Sequence, residues 1–306
     1  MIHDMLIIGG GCAGLGAAIY ARRYNMDVLV LSESLGGTIT TTHLVENYPG
    51  FTSVSGQELG DAFINHAKAN DVPFKLGNRV TRVTKEGNIF TVEYGKETLQ
   101  AYTVLLATGT TYRKLGAKGE QEFSARGVSY CATCDAGFFR GKNVIMVGGG
   151  DGAVKESLIL AEHAAHVTLV HRGTGFPKAE PINVARMEAK ENITPKLETE
   201  IDEILGDTVV RKVRFKSGEE METAGVFVEV GRIPLTDMVN ELGVEKNAKG
   251  EILINTMSET NVPGFYAAGD VTDTEWKQAI VSASEGTKAA FKAFEYLSEL
   301  KYNHLS

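Results

Sequence analysis

The chain has 306 residues, 43% hydrophobic and 23% charged, and its 31 cations against 39 anions give a net charge of −8. This is the composition of a globular protein with room for two domains. An acidic balance argues against a nucleic-acid partner, and no apolar run reaches the length that spans a bilayer.

In chain order, Met5–Ile8 is a short apolar strand of the kind buried on both faces of a parallel sheet. It begins almost at the first residue, so no export signal is expected and the cytoplasm is the expected address. Gly9-Gly10-Gly11-Cys12-Ala13-Gly14 follows, then a helical pattern through Ala17, Ala18, Ile19 and Ala21, then the strand Val28–Leu31 ending at Ser32 and Glu33. A strand, a G-x-G-x-x-G turn, a helix and a strand ending in an acid form a dinucleotide-binding signature. The glycines let backbone approach a pyrophosphate whose charge faces the helix N-terminus, and Glu33 is placed to accept from a ribose hydroxyl.

The stretches Gly36–Thr42 and Val45–Gly50 read as loops able to lie against a ligand. A helix is expected over 56–70, with Leu59, Phe63, Ile64 and Ala67 on one face, and an antiparallel insertion at 79–84 and 89–94. The strand Thr103–Ala107 runs into Thr108-Gly109-Thr110, a tight turn at the carboxyl edge where open α/β sheets place their ligands.

The chain's three cysteines are too few for a disulfide framework, and no second pair or spaced histidine cluster suggests a metal site. Cys131 and Cys134, as C-x-x-C, therefore read as a redox pair. Should they open a helical turn, its positive end favours a thiolate, and Asp135 can exchange a proton with a leaving sulfur.

Asn143–Val147 is another buried strand, Gly148-Gly149-Gly150-Asp151-Gly152-Ala153 turns into a helix to about His163, and Val167–Val170 is the next strand. This repeats the N-terminal unit, but the acid is gone. His171 and Arg172, with Lys178 nearby, are cations that suit a 2′-phosphate, and hence NADPH over NADH. Segments 209–216 and 225–230 are expected to be antiparallel, and Gly231-Arg232-Ile233-Pro234 marks a hinge. Gly269-Asp270 at a strand end is a ribityl or phosphate contact, and the chain ends in an amphipathic helix of about twenty residues.

These residues together give the chain a resemblance to the low-molecular-weight thioredoxin reductases, a branch of the two-dinucleotide-binding flavoproteins. The resemblance covers essentially the whole chain. It is carried by Gly9–Gly14, Val45–Gly50, Ala107-Thr108-Gly109, Ser129–Asp135, Gly148–Ala153 and Ala267–Asp270, and most specifically by a cysteine motif in the downstream domain. It implies an α/β fold of two Rossmann-like dinucleotide-binding domains, three-layer ββα, the second inserted into the first. The FAD domain is expected at 1–113 with 245–306, and the NADPH domain, carrying the C-x-x-C, at 114–244.

By the same resemblance, FAD contacts fall at Gly9, Gly11, Cys12, Ala13, Gly14, Ser32, Glu33, Gly37, Thr38, Asn47, Ala107, Thr108, Gly109, Gly269, Asp270, Lys277, Gln278 and Ala279. NADPH contacts fall at Gly148, Gly150, Asp151, Gly152, Ala153, His171, Arg172, Lys178 and Gly231. It further implies a homodimer, Cys134 nearer the flavin, and Cys131 attacking the disulfide of a thioredoxin or glutaredoxin-like protein. Asp135 would handle protons, and one domain would rotate against the other during turnover.

The chain departs from the family pattern in places. Cys12 stands for a proline, Thr38 for a glutamine, Gly152 for a serine and Lys155 for an acid. His171-Arg172-Gly173 is one arginine short, and Trp276-Lys277-Gln278 replaces an aromatic-Arg-Gln. A lysine grips phosphate only as a point charge. The thinner cation set leaves open the same flavin and disulfide chemistry fed by a deazaflavin or ferredoxin, or a dithiol oxidase of the same architecture. The leading expectation is electron flow from NADPH through FAD to Cys131–Cys134 and on to a thioredoxin-like protein.

Overall fold

The computed structural model describes residues 1–303. They form two α/β units, one made of Met1–Thr111 with Ile233 onward, the other of Tyr112–Arg232.

The first unit grows from β1 (Ile2–Gly10), whose alternate side chains serve different cores: Met5 and Ile7 join one hydrophobic cluster, Leu6 and Ile8 another. Burial on both sides explains why the run is continuously apolar. α1 (Cys12–Arg23), β2 (Val28–Leu35), α2 (Gly56–Ala69), β3 (Phe74–Leu76), β4 (Val80–Glu86), β5 (Ile89–Tyr94) and β6 (Glu97–Leu106) follow. Ser55 and Glu58 form a reciprocal capping box that starts α2. The sheet runs β3-β2-β1-β6-β5-β4, so the antiparallel β4–β5 pair extends it. The stretch Gly37–Thr41, expected as loop, is a turn of 3₁₀ helix.

The chain passes through β7 (Thr110–Tyr112) into the second unit. There it forms β8 (Val128–Ser129), α3 (Ala132–Asp135), β9 (Asn143–Val147), α4 (Asp151–Ala161), β10 (His166–Val170), α5 (Pro181–Glu188) and β11 (Ile193–Lys196). An antiparallel sheet of β12 (Ile201–Gly206), β13 (Val210–Phe215) and β14 (Glu220–Glu222) precedes β15 (Gly225–Val228). The main sheet is ordered β11-β10-β9-β15-β8.

One expectation is corrected here. The segment at 225–230 is not antiparallel: β15 pairs parallel with β9 and β8 in the middle of the sheet. All four of its residues are buried, and Gly-Val-Phe-Val carries the unbroken apolar signature of a strand covered on both faces.

Through β16 (Arg232–Pro234) the chain returns to the first unit and adds β17 (Phe265–Ala267) beside β6, then α6 (Ala279–Asn303). α6 packs against α1 on one side of the sheet. Residues 233–244, expected in the second domain, belong with the first unit. Met238, Val239 and Val244 are buried there among Leu6, Ile8, Val83 and Phe265, which ties this stretch to that core.

Candidate active site

In the second unit β8 delivers Ser129, and after Tyr130 the chain enters α3 with Cys131 as its N-cap. Cys131 and Cys134 are joined as a disulfide with their Cα atoms 5.4 Å apart. The Cys134 N–H donates to Cys131 Sγ at 3.2 Å, so the sulfur takes the place an N-cap oxygen would hold. A negative sulfur is favoured at that position once the bond is reduced.

Three carboxylates surround this turn. Asp135 Oδ2 accepts the Ser129 hydroxyl at 2.6 Å, and Ser129 Oγ in turn accepts the Cys131 N–H at 3.1 Å. Glu120, 4% exposed, accepts the Leu115 and Gly116 N–H groups and the Tyr130 hydroxyl at 2.8, 2.7 and 2.7 Å. Burial and that carboxylate push the Tyr130 phenol above its ordinary range. From α4, Glu156 accepts the Ala132 N–H. Burial first, then the nearby Glu229 carboxylate, pushes Glu156 up to about 8, with Arg232 opposing. Its Oε2 has no hydrogen-bond partner. Glu229 is itself raised by burial, against Arg232, which it pairs with at 3.2 Å.

The glycine turn of this unit is closed on one side and open on another. A Cβ at Gly148 would lie 2.3 Å from the Glu229 carbonyl oxygen, so that glycine lets β15 approach. At Gly150, which caps α4, a Cβ would meet nothing within 4 Å. The His171 ring lies over Gly149 and stacks on Phe176 at 5.8 Å. Burial, then the Arg172 charge, lowers the pKa of that imidazole. Lys178 is bridged to Gly150 through the backbone, so the structure brings Gly150, His171 and Lys178 together, with Arg172 exposed beside them. Gly152 is exposed, Ala153 is buried, and Gly231 follows β15 with φ +111°. The Asp151 side chain turns to α5, accepting the Glu180 N–H and the Asn183 amide at 2.9 Å each and pairing with Lys155 at 2.8 Å.

In the first unit, a cavity of about 370 Å³ runs along the carboxyl edge of the sheet. It gathers Gly9, Gly11, Cys12 and Ala13 from the first turn, Ser32 and Glu33 from β2, then Gly37, Thr38, Ala107, Thr108 and Gly109. Gly269, Asp270, Lys277, Gln278 and Ala279 complete the expected set. Two expected residues stand behind this wall. A Cβ at Gly14 would lie 1.9 Å from the Gly9 carbonyl oxygen, so Gly14 serves helix–strand packing. Asn47 donates to Gln278 Oε1 at 3.2 Å and thereby orients a lining residue.

Lys277 reaches the Asp270 carbonyl at 2.9 Å and Glu251 at 3.0 Å, so its ammonium is committed to the Gly269–Asp270 loop. Glu285, 7% exposed, fixes that loop from behind by accepting the Gly269 N–H at 2.7 Å. The Cys12 thiol is pushed up to about 12, chiefly by burial. Sequence reasoning missed Asn78, Arg79 and Ser282 in the lining, and Glu120, Glu156, Glu229 and Glu285 behind the two turns. Ser129 was visible as a hydroxyl two residues before Cys131; the acids carry no local signal.

A glycine-lined dinucleotide cavity in one unit, and in the other a disulfide held beside a second glycine turn, are the equipment of a nucleotide-linked disulfide oxidoreductase. The chain belongs to the pyridine nucleotide-disulphide oxidoreductase family, whose model matches residues 3–286. It is 38% identical over 307 residues to a thioredoxin reductase of Listeria innocua, covering 98% of this chain and 95% of that one. Its fold is similar to the crystal structure of Lactococcus lactis thioredoxin reductase, with a TM-score of 0.94, 34% identity, and 97% and 99% of the two chains covered. The crystal structure of T. acidophilum thioredoxin reductase is also similar, with a TM-score of 0.91 at 36% identity and 96% and 98% of the two chains covered.

Proposed function

We propose that this protein is a thioredoxin reductase, passing two electrons from NADPH through FAD to Cys131–Cys134 and on to thioredoxin. The observation that carries the reading is the Cys131–Cys134 disulfide capping a helical turn with Asp135 tied into it. It stands in a chain similar to thioredoxin reductases along nearly its whole length. The comparisons do not favour the other donors or the oxidase.

The first cavity fits FAD. At Gly109, with φ +64°, a Cβ would meet nothing within 4 Å, and at Gly11 only ordinary contacts, so bare backbone faces the cavity at both places. Gly11–Ala13 at the N-terminus of α1 would hold the pyrophosphate, and Glu33 a ribose hydroxyl. Gly150 and the N-terminus of α4 would hold the NADPH pyrophosphate, and Arg172 with Lys178 its 2′-phosphate. Bound there, FAD would supply the hydride acceptor and the two-electron relay between the nicotinamide and the disulfide.

The chain's own residues do the rest. In the reduced protein the Cys131 thiolate attacks the partner disulfide, whose S–S bond breaks as a mixed disulfide forms. The Cys134 thiolate then attacks Cys131 Sγ, releasing the partner as a dithiol and restoring Cys131–Cys134; the two protons given up by the cysteine thiols go to the partner's sulfurs, with Asp135 handling the transfer.

Among the described residues no helix is long and apolar enough to cross a membrane. We place the enzyme in the cytoplasm as a homodimer, with neither membrane nor nucleic acid as partner. The aromatic surface of α1 and α6 supports the dimer: Tyr20, Phe291 and Phe294 are 43, 38 and 37% exposed, and Tyr24 stacks on Phe294 at 4.8 Å.

Anaerobic stopped-flow tests the reading. NADPH should bleach the flavin, and Cys134→Ser should abolish thioredoxin turnover while the flavin is still reduced. Flavin that stays oxidised under NADPH overturns the donor, and full turnover by Cys134→Ser overturns the dithiol route.

A further inference from the structure

Asp135, the last residue of α3, also borders open space. With Ser129 it lines a second cavity, of about 850 Å³, whose walls include Arg126, Phe138, Lys142 and Thr223 but neither cysteine. Ser129 is 7% exposed and sits on β8, locked by backbone pairing opposite Phe227 of β15. Its hydroxyl has one proton. The 2.6 Å bond to Asp135 Oδ2 uses that proton, and a lone pair takes the Cys131 N–H at 3.1 Å. The Cys131 carbonyl, at 3.4 Å, is the poorer alternative acceptor. A hydroxyl polarised by an incoming N–H donates more strongly, so the chain Cys131 N–H to Ser129 O–H to Asp135 is cooperative.

We infer that Ser129 is a positioning residue for thiol–disulfide exchange: its hydroxyl ties the Asp135 carboxylate to the backbone of Cys131 and aims it between the redox turn and the second cavity. Protons then reach Asp135 from solvent in that cavity, while the carboxylate stays registered with the sulfur-bearing turn. Were the hydroxyl absent, nothing in the hydrogen bonds described would couple the carboxylate to Cys131. The inference rests on Asp135 as the proton-handling group of the proposed function.

The test uses the FAD-loaded protein, reduced and then mixed with oxidised thioredoxin. Ser129→Ala should slow exchange roughly tenfold near neutral pH. Flavin bleaching by NADPH should be unchanged, which shows the variant folded. Ser129→Thr, which keeps a hydroxyl, should restore the rate. A Ser129→Ala exchange rate matching wild type overturns the inference, as does equal impairment by alanine and threonine. Wild-type protein that reduces no thioredoxin sinks the proposed function instead, and this inference with it.

Discussion

Replacing Glu156 by glutamine keeps an acceptor for the Ala132 N–H and removes the charge. In the wild type, burial and then Glu229 raise this carboxyl from 4.5 to about 8. An acid raised on folding holds its proton longer in the folded chain than in the unfolded one. Its contribution is therefore whole below the unfolded value of 4.5 and is lost as pH climbs through about 8. At about 1.4 kcal/mol per pH unit, the loss comes to roughly 3 kcal/mol by pH 7 and 4–5 kcal/mol by pH 9, as an upper bound. Glutamine has no charge to desolvate and should be spared it. Urea unfolding of both proteins at about pH 5, 7 and 9 should give stabilities within about 1 kcal/mol at the lowest pH, with the variant ahead by an increasing margin above it. Parallel pH dependences would refute the reasoning, since the carboxyl would then be solvated or paired in a way the packing around Ala132 and Glu229 does not provide.

Three further outcomes are expected. The Cys12 thiol, held at about 12 by burial, should stay protonated at mildly alkaline pH, so reduced native protein should show two fast thiols to an aromatic disulfide reagent and a third only on unfolding. Gly14→Ala would drive a Cβ to 1.9 Å from the Gly9 carbonyl, a backbone clash costing more than about 3 kcal/mol, and should yield protein without the flavin absorbance. Arg172→Ala should raise KM for NADPH roughly tenfold with little change for NADH, measured by steady-state kinetics with each nucleotide.

Much of the molecule is legible in the sequence because its signals are local. Apolar runs at Met5–Ile8 and Asn143–Val147 sit directly before glycine turns, and strand, turn and helix lie within one short span. The first cavity is readable for the same reason, since its walls are mostly those turns. What escapes is what distant segments decide together. Met238 and Val239 lie in a 3₁₀ stretch, Asp237–Leu242, whose short span has no periodicity to reveal which core it joins. β15 misleads because a glycine heads it and a hairpin precedes it, so its neighbours look like more of the same hairpin. Glu156 and Glu229 meet only because α4 packs beside the end of β15, and the Asp151 side chain finds its partners at the start of α5, far along the chain.

Every side chain described around the redox turn comes from one stretch of chain. Glu120, Ser129, Tyr130, Glu156, Glu229 and Arg232 all belong to the unit Tyr112–Arg232. The dithiol is therefore self-contained cargo, wired to its own carrier. Whatever supplies it with electrons or takes them away meets the same prepared thiol pair, and re-engineering either client need not disturb its setting.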